Sequence, residues 1–187
     1  MDKAEKKVIF RKKALQKLRK EMPNFYKKDK NVIQRLNKEI KNSKIKDIML
    51  FIPLKSEPNI TLLIKLLRQK GYNLYVPFIK ENTFNLVKYR LPLKQKKFGI
   101  KEPNISYLNI KKIDLAIVPL LGIDKSYRRV GFGKGMYDRF YSKFGNNIRK
   151  TIFLQRDVFY TKDIITNSYD ISANEIITNS IINLDIN

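Results

Sequence analysis

Two short apolar runs with an amphipathic segment between them are the feature that most limits how this chain can fold. The runs are residues 48–52, closed by Pro53, and residues 74–78, and the segment between them has leucines at helical spacing over residues 62–67 before Gly71. A short continuous apolar run is typical of a strand buried on both faces. The pattern therefore predicts a β-α-β unit and a parallel sheet, in which ligands collect at the carboxyl ends of the strands.

Similar periodicities and stop signals divide the rest of the chain into further elements. The 187 residues, of which 43% are hydrophobic, fit one domain of ordinary size with a real core. The patterns predict a helix over residues 3–22 that Pro23 ends, a helix around residues 32–40 that ends near Asn42 and Ser43, an antiparallel strand over residues 84–90, a turn-rich connection over residues 98–103, a buried strand over residues 115–119, and a helix that begins at Gly135 or Met136 and ends before Gly145.

Residues 129–139 join the last predicted strand to the last predicted helix and are rich in glycine and positive charge. Glycines that alternate with other residues leave the backbone able to approach a ligand closely and to donate its N–H groups. A strand end that meets a helix start adds further N–H donors and a positive dipole. The loop, from here on the glycine loop, therefore predicts an anion site, with the glycines Gly131, Gly133 and Gly135 and the cations Arg129, Lys134 and Arg139.

The glycine loop does not match the common phosphate-binding motifs. A Walker loop requires Ser or Thr after Gly-Lys, whereas Gly135 follows Lys134, and the spacing G-x-G-x-G differs from the dinucleotide fingerprint G-x-G-x-x-G. As a bare glycine pattern, the loop could equally serve a turn. The attached Arg, Lys, Tyr and Asp side chains favour a nucleotide or another phosphate as its ligand.

The charge of the chain also favours anionic partners. Forty Lys and Arg against 17 Asp and Glu give a formal net charge of +23, a positive field that attracts phosphates and carboxylates. A nucleic-acid-binding protein is therefore one alternative. The lysines are scattered through Asn- and Ile-rich sequence, however, as expected of a solvated surface rather than of a compact basic patch with aromatic residues in it.

The absence of Cys and His removes whole classes of chemistry. Disulfides, zinc sites of the Cys/His type, Ser-His-Asp triads and Cys nucleophiles are excluded. Catalysis must use carboxylates, Tyr, Lys, Arg, backbone amides or a hard metal ion such as Mg²⁺. Because the sequence has neither a signal-peptide pattern nor a run of roughly 20 apolar residues, we expect a cytoplasmic, soluble protein.

Two positions outside the glycine loop are candidates for ligand binding. Lys3, Lys7 and Arg11 fall on one stripe of the first helix, where like charges four residues apart repel and a bound anion would relieve the repulsion. Glu57 lies four residues after Pro53, at the carboxyl end of a predicted strand. An ordinary basic solvent face and a solvated loop carboxylate are the alternatives.

The chain resembles the 5-formyltetrahydrofolate cyclo-ligases, also called methenyltetrahydrofolate synthetases, over nearly its whole length. The most specific part is Val118-Pro119 through Asp124, followed by Arg129-Val-Gly-Phe-Gly-Lys-Gly-Met-Tyr-Asp-Arg139, which is similar to the family pattern V-P-x-L-x-x-D and R-x-G-x-G-x-G-x-Y-D. Further matches in the same order are Lys7-x-x-Phe-Arg11, Pro53-x-x-x-Glu57, Phe98-Gly-Ile-x-Glu-Pro103, Gln155, and the tail from Asp170 to Ile176-Ile177-Thr178.

This resemblance implies a fold and a reaction. The fold is a three-layer α/β/α single domain over residues 1–187, with a mostly parallel mixed sheet, as in sugar-phosphate isomerases and CoA transferases. The reaction converts 5-formyltetrahydrofolate to 5,10-methenyltetrahydrofolate with Mg²⁺ and with ATP as co-substrate, and releases ADP and phosphate. The formyl oxygen takes the γ-phosphoryl group, N10 closes the ring, and phosphate leaves.

The resemblance also implies roles for individual residues. For catalysis it implies Lys134, Tyr137 and Arg129; for ATP binding Lys7, Arg11, Arg129, Gly131, Phe132, Gly133, Lys134, Gly135, Met136 and Asp138; for binding of the folate Glu57, Phe51 and Tyr137; and for the metal Asp138 and Asn174.

The chain departs from the family pattern at three of its positions. Met136 stands where Tyr is usual, Tyr169 replaces a frequent His, and Asn174 stands where Asp is common. A neutral amide oxygen at position 174 would attract Mg²⁺ less strongly than a carboxylate. Another phosphate-handling enzyme, such as a sugar-phosphate isomerase, is a second alternative. We expect a monomer without a membrane or a specific nucleic-acid partner, and the surplus of Lys favours a polyglutamate tail on the folate.

Overall fold

The structure is a computed structural model that describes residues 1–41, 44–95, 101–104 and 110–179. Its helices are α1 (Lys3–Lys20), α2 (Phe25–Lys41), α3 (Thr61–Gln69) and α4 (Met136–Phe144). Its strands are β1 (Asp47–Met49), β2 (Asn73–Lys80), β3 (Thr83–Lys88), β4 (Lys94–Gln95), β5 (Lys101–Glu102), β6 (Ile113–Pro119), β7 (Gly122–Asp124), β8 (Arg129–Val130), β9 (Ile148–Leu154), β10 (Phe159–Thr161) and β11 (Glu175–Ile177).

The main sheet of the described chain has the strand order β11-β9-β6-β1-β2-β3. All neighbouring strands are parallel except β3, which pairs antiparallel with β2. Ile48 of β1 is in register with Leu74 of β2 on one side and with Leu115 of β6 on the other. The predicted β-α-β unit, parallel sheet and antiparallel hairpin are therefore confirmed.

Both faces of the sheet are buried under helices, which makes three layers. Ile48 and Leu50 belong to the core cluster that contains residues of α2 and α3, whereas Met49 belongs to the opposite cluster, with Phe140 of α4. Alternate side chains of a strand point to opposite faces, so an apolar run without polar interruption is what two covered faces require. This agrees with the expected mixed α/β fold.

Strand β1 is shorter than the sequence predicts, because the chain leaves the sheet before Pro53. Pairing ends at Met49, although the Leu50 N–H still donates to the Tyr75 carbonyl at 2.8 Å. The departure from the sheet takes Phe51 and the residues after it to the carboxyl edge. A second difference is β9, a strand that our sequence analysis does not predict and that lies between β6 and β11.

Helix α1 is confirmed, but it ends at Lys20 rather than Met22, and Met22–Asn24 form a 3₁₀ turn. Ala14 and Leu18 of the helix pack with Leu121 in a small cluster of their own. The helical spacing of Val8, Leu15, Leu18 and Met22 predicts one apolar face for this helix, but Val8 is 60% exposed. The inner face of α1 therefore differs from the one that apolar spacing alone suggests.

A small sheet of order β10-β7-β8 carries the chain from the main sheet to the glycine loop. Buried Asp124 at the end of β7 accepts hydrogen bonds from the backbone of Ile165 and Thr166 and from the Ser126 hydroxyl. Burial would raise the pKa of Asp124, but these hydrogen bonds outweigh it and lower the pKa. An ionised Asp124 thus fixes the approach to the loop.

The remaining sequence predictions fall on the middle and late parts of the chain. Helix α4 begins at Met136 and ends before Gly145, as predicted. The connection was predicted over residues 98–103. Residues 98–100 lie outside the described residues, and Lys101–Glu102 form strand β5, which pairs antiparallel with β4. Within the described residues, no helix is long and apolar enough to cross a membrane.

Candidate active site

The carboxyl ends of β1 and β2 meet α1, the glycine loop and the start of α4 around a cavity of about 750 Å³. Of the predicted site residues, Asn174 is not among the described residues that line this cavity. Those that line it are Lys7, Arg11, Phe51, Glu57, Arg129, Gly131, Phe132, Gly133, Lys134, Gly135, Met136, Tyr137 and Asp138.

Helix α1 brings all three of its stripe residues, Lys3, Lys7 and Arg11, to the cavity from the other end of the chain. Arg11 Nε donates a hydrogen bond to the Gly131 carbonyl at 2.9 Å, across 120 residues of sequence. Lys7 Nζ donates to Asp170 Oδ2 at 2.6 Å, across 163 residues. The basic stripe is therefore not a plain solvent face, because its three cations line one side of the cavity.

The glycine loop depends on glycine at two kinds of position. Gly133 and Gly135 have φ of 107° and 60°, in the region that favours glycine. Gly135 is the N-cap of α4 and makes no side-chain cap, so the first N–H groups of the helix have no side-chain acceptor at that residue. At Gly131, a Cβ atom would lie 2.5 Å from Arg129 Nη1. These properties suit a backbone that binds an anion.

Arg129 lies buried beneath the loop and connects three parts of the site. Its Nε donates to the Pro119 carbonyl at 2.8 Å, and its Nη1 is 3.9 Å from Asp138 Oδ2. Its guanidinium carbon is 4.9 Å from the centre of the Tyr137 ring. Because one nitrogen is held by backbone, the guanidinium has a fixed orientation towards the cavity.

Asp138 and Asp170 are two carboxylates on the side of the cavity that contains Lys7, Arg11 and the glycine loop, from here on the cationic end. Asp138 is at the first turn of α4, and buried Asp170 binds Lys7 and accepts the Asn167 N–H at 2.7 Å. Burial lowers the pKa of Arg11, and the charges of Asp170 and Asp138 act against this effect. Asp138 and Asp170 therefore both lie within electrostatic reach of the same guanidinium.

Asn174 has a different environment. Its side-chain oxygen accepts the Thr151 N–H at 2.8 Å, and its own N–H donates to the Thr151 carbonyl at 3.0 Å. These two bonds join the residue to β9, next to β11. The structure therefore does not bring Asn174 to the cavity with Asp138.

Glu57 lines the same cavity from the turn after β1. The Leu54 N–H donates to Glu57 Oε2 at 2.9 Å, and the Glu57 N–H donates to the Leu54 carbonyl at 3.0 Å. The residue is only 7% exposed. Burial raises the pKa of Glu57 to about 7, against the opposing effects of the Leu54 N–H and of Arg129 and Arg156.

Tyr137 lies near both Arg129 and Glu57. Its ring packs edge-on against Phe84, with 5.0 Å between the ring centres. Burial, followed by the charge of Glu57, raises its pKa above the usual value for tyrosine. The phenol therefore keeps its proton at neutral pH and can donate a hydrogen bond, whereas Glu57 can accept or donate one near neutral pH.

The structure adds Asp170 and Arg156, to which our sequence analysis gives no role, and a new contact of Arg139, a cation of the glycine loop. Asp170 is the partner of Lys7, and Arg156 Nη1 donates to the Ser56 carbonyl at 3.3 Å, next to Glu57. Arg139 Nε donates to the Asn82 carbonyl at 2.7 Å. An acidic residue in a matched tail segment is the only sequence signal for Asp170. The contacts of Arg156 and Arg139 leave no local pattern.

The lining of the cavity thus has two chemically different parts. The cationic end has a glycine loop, a helix N-terminus and several cations, which suit a polyphosphate. The remaining lining has aromatic and aliphatic walls with one carboxylate and one phenol, which suit a flat ring system with hydrogen-bond donors. Such an arrangement suits two ligands of different chemistry.

Comparisons with known proteins point to one family. The sequence model of the 5-formyltetrahydrofolate cyclo-ligase family matches residues 3–179. The chain is 26% identical over 157 residues to the 5-formyltetrahydrofolate cyclo-ligase of Haemophilus influenzae, which covers 80% of this chain and 84% of that protein.

Two solved structures are also similar. The 5,10-methenyltetrahydrofolate synthetase of Aquifex aeolicus superposes with a TM-score of 0.73 and 26% identity, and the match covers 94% of this chain and 90% of that one. A synthetase from Mycoplasma pneumoniae, at 22% identity and a TM-score of 0.68, shares the fold over 93% of this chain and 99% of that one.

Proposed function

Because this chain belongs to the 5-formyltetrahydrofolate cyclo-ligase family, we propose that it uses ATP and Mg²⁺ to convert 5-formyltetrahydrofolate to 5,10-methenyltetrahydrofolate. The observation that carries the proposal is the meeting of Lys7 and Arg11 with the glycine loop in one cavity that also holds Glu57 and Tyr137. A phosphate clamp and a ring-binding end within one cavity are what phosphoryl transfer to a folate requires.

The phosphates would bind at the cationic end. Backbone N–H groups of the glycine loop and the start of α4, together with Arg11 and Lys134, would hold the triphosphate. Arg129 would face the developing charge from its fixed position under Gly131. Because phosphoryl transfer depends mainly on positioning and electrostatics, these residues can promote it without any histidine.

The residues at the cationic end also fit Mg²⁺, a hard ion that proteins usually hold with one or two carboxylates while phosphates and water complete its shell. Asp138 and Asp170 are the carboxylates that would hold it. When bound, Mg²⁺ supplies positive charge to the phosphate oxygens. Within the described residues, no group of three or more Asp, Glu, Cys or His side chains could hold a metal ion, so phosphate oxygens and water would have to complete the shell of an ion at Asp138 and Asp170.

The folate would bind at the other end, with its ring against Phe51 and the neighbouring apolar wall. Ionised Glu57 would accept hydrogen bonds from the pterin, and Tyr137 would orient the formyl group. The formyl oxygen then attacks the γ-phosphorus while the bond to ADP breaks, which gives an iminium phosphate. N10 adds to the formyl carbon and loses its proton, and the carbon–oxygen bond breaks to release phosphate. Phosphorylation turns a poor leaving group into a good one.

The test is to follow the absorbance of the methenyl product with enzyme, 5-formyltetrahydrofolate, Mg²⁺ and ATP, leaving out each in turn. We expect product only in the complete mixture, with ADP and phosphate formed in equal amounts. Product without ATP, or none in the complete mixture, would refute the proposal. The mixture without ATP also tests the alternative of an isomerase on the same fold, which needs no nucleotide.

The proposal includes three further expectations from the sequence, which concern location, oligomeric state and the folate tail. The enzyme would be a cytoplasmic monomer, and its folate substrate could carry a polyglutamate tail. Size-exclusion chromatography with light scattering measures the oligomeric state directly, and a single species at the mass of one chain is expected.

A further inference from the structure

Arg139, one of the cations of the glycine loop, uses two of its three guanidinium nitrogens on backbone carbonyls. Its Nε donates to the Asn82 carbonyl at 2.7 Å, in the turn between β2 and β3, and its Nη2 donates to the Lys134 carbonyl. The side chain therefore joins the β2–β3 hairpin to the glycine loop. Because the guanidinium is planar and is held at two nitrogens, its orientation is fixed.

The same guanidinium packs directly against the backbone of Gly135. A Cβ atom at position 135 would lie 2.8 Å from Arg139 Nη1. Gly135 also has a φ of 60°, at the residue that precedes α4. Glycine allows both this backbone conformation and the close approach of the arginine. The third nitrogen of Arg139 thus also lies against the backbone of the loop.

The hydrogen bond to the Lys134 carbonyl controls which way one peptide group of the loop points. In a trans peptide, the carbonyl oxygen of one residue and the N–H of the next point in opposite directions. Since the Lys134 carbonyl points to Arg139, the Gly135 N–H points away from it.

Without this hydrogen bond, little in the local chain would hold that peptide in place. Glycine adopts both signs of φ readily, so rotation of the peptide before Gly135 costs less than it would before another residue. Rotation would put a carbonyl oxygen where the N–H now is. An N–H group of a loop attracts an anion, whereas a carbonyl oxygen in its place repels one.

We propose that Arg139 is a positioning residue that locks the peptide between Lys134 and Gly135 in the orientation that binds the triphosphate. The inference rests on the proposed function, which puts the phosphates at the glycine loop. Arg139 lines the cavity, but it acts through the backbone that its nitrogens hold. Its role is then to shape the loop, and its charge alone does not supply that role.

The test measures binding of inorganic tripolyphosphate by isothermal titration calorimetry to the wild type, Arg139→Lys and Arg139→Met. Lysine keeps the charge, but its single amine cannot reproduce the fork that reaches both carbonyls. Methionine removes the charge and the donors. Arg139→Lys should bind tripolyphosphate about five- to tenfold more weakly than the wild type, the usual effect of one lost hydrogen bond, and Arg139→Met at least as weakly. The KM for ATP should rise by a similar factor, and the KM for 5-formyltetrahydrofolate should stay at the wild-type value.

Arg149→Lys is the matched control. Arg149 Nη2 also donates to a backbone carbonyl, that of Lys44 at 2.8 Å, and Arg149 is not among the described residues that line the cavity. Its tripolyphosphate affinity should equal that of the wild type.

Three results would overturn the inference. In the first, Arg139→Lys binds tripolyphosphate like the wild type, so that the charge alone suffices. In the second, Arg149→Lys loses as much affinity as Arg139→Lys. In the third, urea unfolding shows that Arg139→Lys is less stable while its tripolyphosphate affinity is unchanged, which is the mark of a merely structural role. Failure of the proposed function is a separate result, since the wild type would then form no methenyl product.

Discussion

At the scale of single residues, the environment of Glu57 determines how the site depends on pH. Burial raises the pKa of its carboxyl group to about 7 in the folded protein. The ionised form is the one that accepts hydrogen bonds from a pterin. We therefore expect kcat/KM for 5-formyltetrahydrofolate to rise with pH through about 7 and then level off, because this ratio reports ionisations of the free enzyme.

Glu57→Gln should abolish this rise along with most of the activity. The same substitution also has a signature in stability. Since the pKa is raised from 4.5 to about 7 on folding, the folded protein binds more protons than the unfolded chain between these values, and stability falls as pH increases through this window. Urea unfolding of the wild type and of Glu57→Gln, measured between pH 4.5 and about 7, should show a smaller loss of unfolding free energy for Glu57→Gln. Equal losses would contradict the raised pKa.

Lys134 offers a second prediction at this scale. Its side chain lines the cavity in the glycine loop, where a cation can meet the charge that develops during phosphoryl transfer. Lys134→Ala should lower kcat by roughly 10²- to 10³-fold, the usual effect of removing one such group. Steady-state kinetics with Lys143→Ala as control is the measurement, because Lys143 is exposed on the last turn of α4. A similar loss in both variants would contradict the assignment.

At the scale of elements, the glycine loop and the arginine beneath it work as one unit. A methyl group at position 131 would lie 2.5 Å from Arg129 Nη1, and Arg129 is held at its Nε by Pro119. Gly131→Ala should therefore displace the guanidinium and lower kcat/KM for ATP by more than tenfold.

Gly145→Ala is the matched control for that substitution. Its Cβ would meet Tyr141 at 3.4 Å, an ordinary contact, and Gly145 has a φ of −56° that any residue adopts. The measurement is kcat/KM for ATP of Gly131→Ala and of Gly145→Ala, and only Gly131→Ala should fall below the wild type. If Gly131→Ala keeps wild-type kcat/KM, the loop does not depend on close packing against Arg129.

A buried ion pair joins α2 to the turn that carries Glu57. Arg156 is 2% exposed, its Nη2 donates to Asp29 Oδ2 at 3.0 Å, and its guanidinium lies 3.7 Å from the centre of the Phe25 ring. It also contacts the Ser56 carbonyl, so it links the end of β9 to the turn that carries Glu57.

Removal of one partner leaves the other charge buried and unpaired. Arg156→Leu should lower the free energy of unfolding by about 3–5 kcal/mol. The double variant Arg156→Leu, Asp29→Leu should recover much of this loss, because both charges are then absent. Urea denaturation of the three variants measures the effect. A double variant less stable than Arg156→Leu alone would contradict the explanation.

At the scale of the whole molecule, the formal charge of +23 should act on the rate at which anionic substrates arrive. Each additional glutamate on the folate adds a carboxylate that the field attracts. We expect kcat/KM to fall with added salt, and to fall more steeply for a polyglutamylated folate than for the monoglutamate, because salt screens charges beyond about 8 Å at physiological strength. Kinetics of both substrates across a salt series test this, and equal slopes would refute it.

Much of the fold follows from local pattern. The β-α-β unit, the hairpin strand and the start of α4 at Met136 were predictable, because apolar periodicity and glycine or proline stops depend on near neighbours. Strand β9 was not predicted, although it is an interior strand of the main sheet, between β11 and β6. The residues of the glycine loop predict an anion site, which stays a prediction, and the motifs around the loop pointed to the family, which is confirmed.

The sequence by itself determined the four helices, the strands β1, β2, β3 and β6, and what chemistry the chain can carry, since these depend on residue type and short spacing. Only the tertiary structure decided the partners: Lys7 with Asp170, Arg11 with Gly131, and Asn174 with Thr151. Each of these contacts joins distant segments, so it depends on how helices and strands pack. Packing also buries Glu57 and so raises its pKa, a property that neighbours in sequence do not encode.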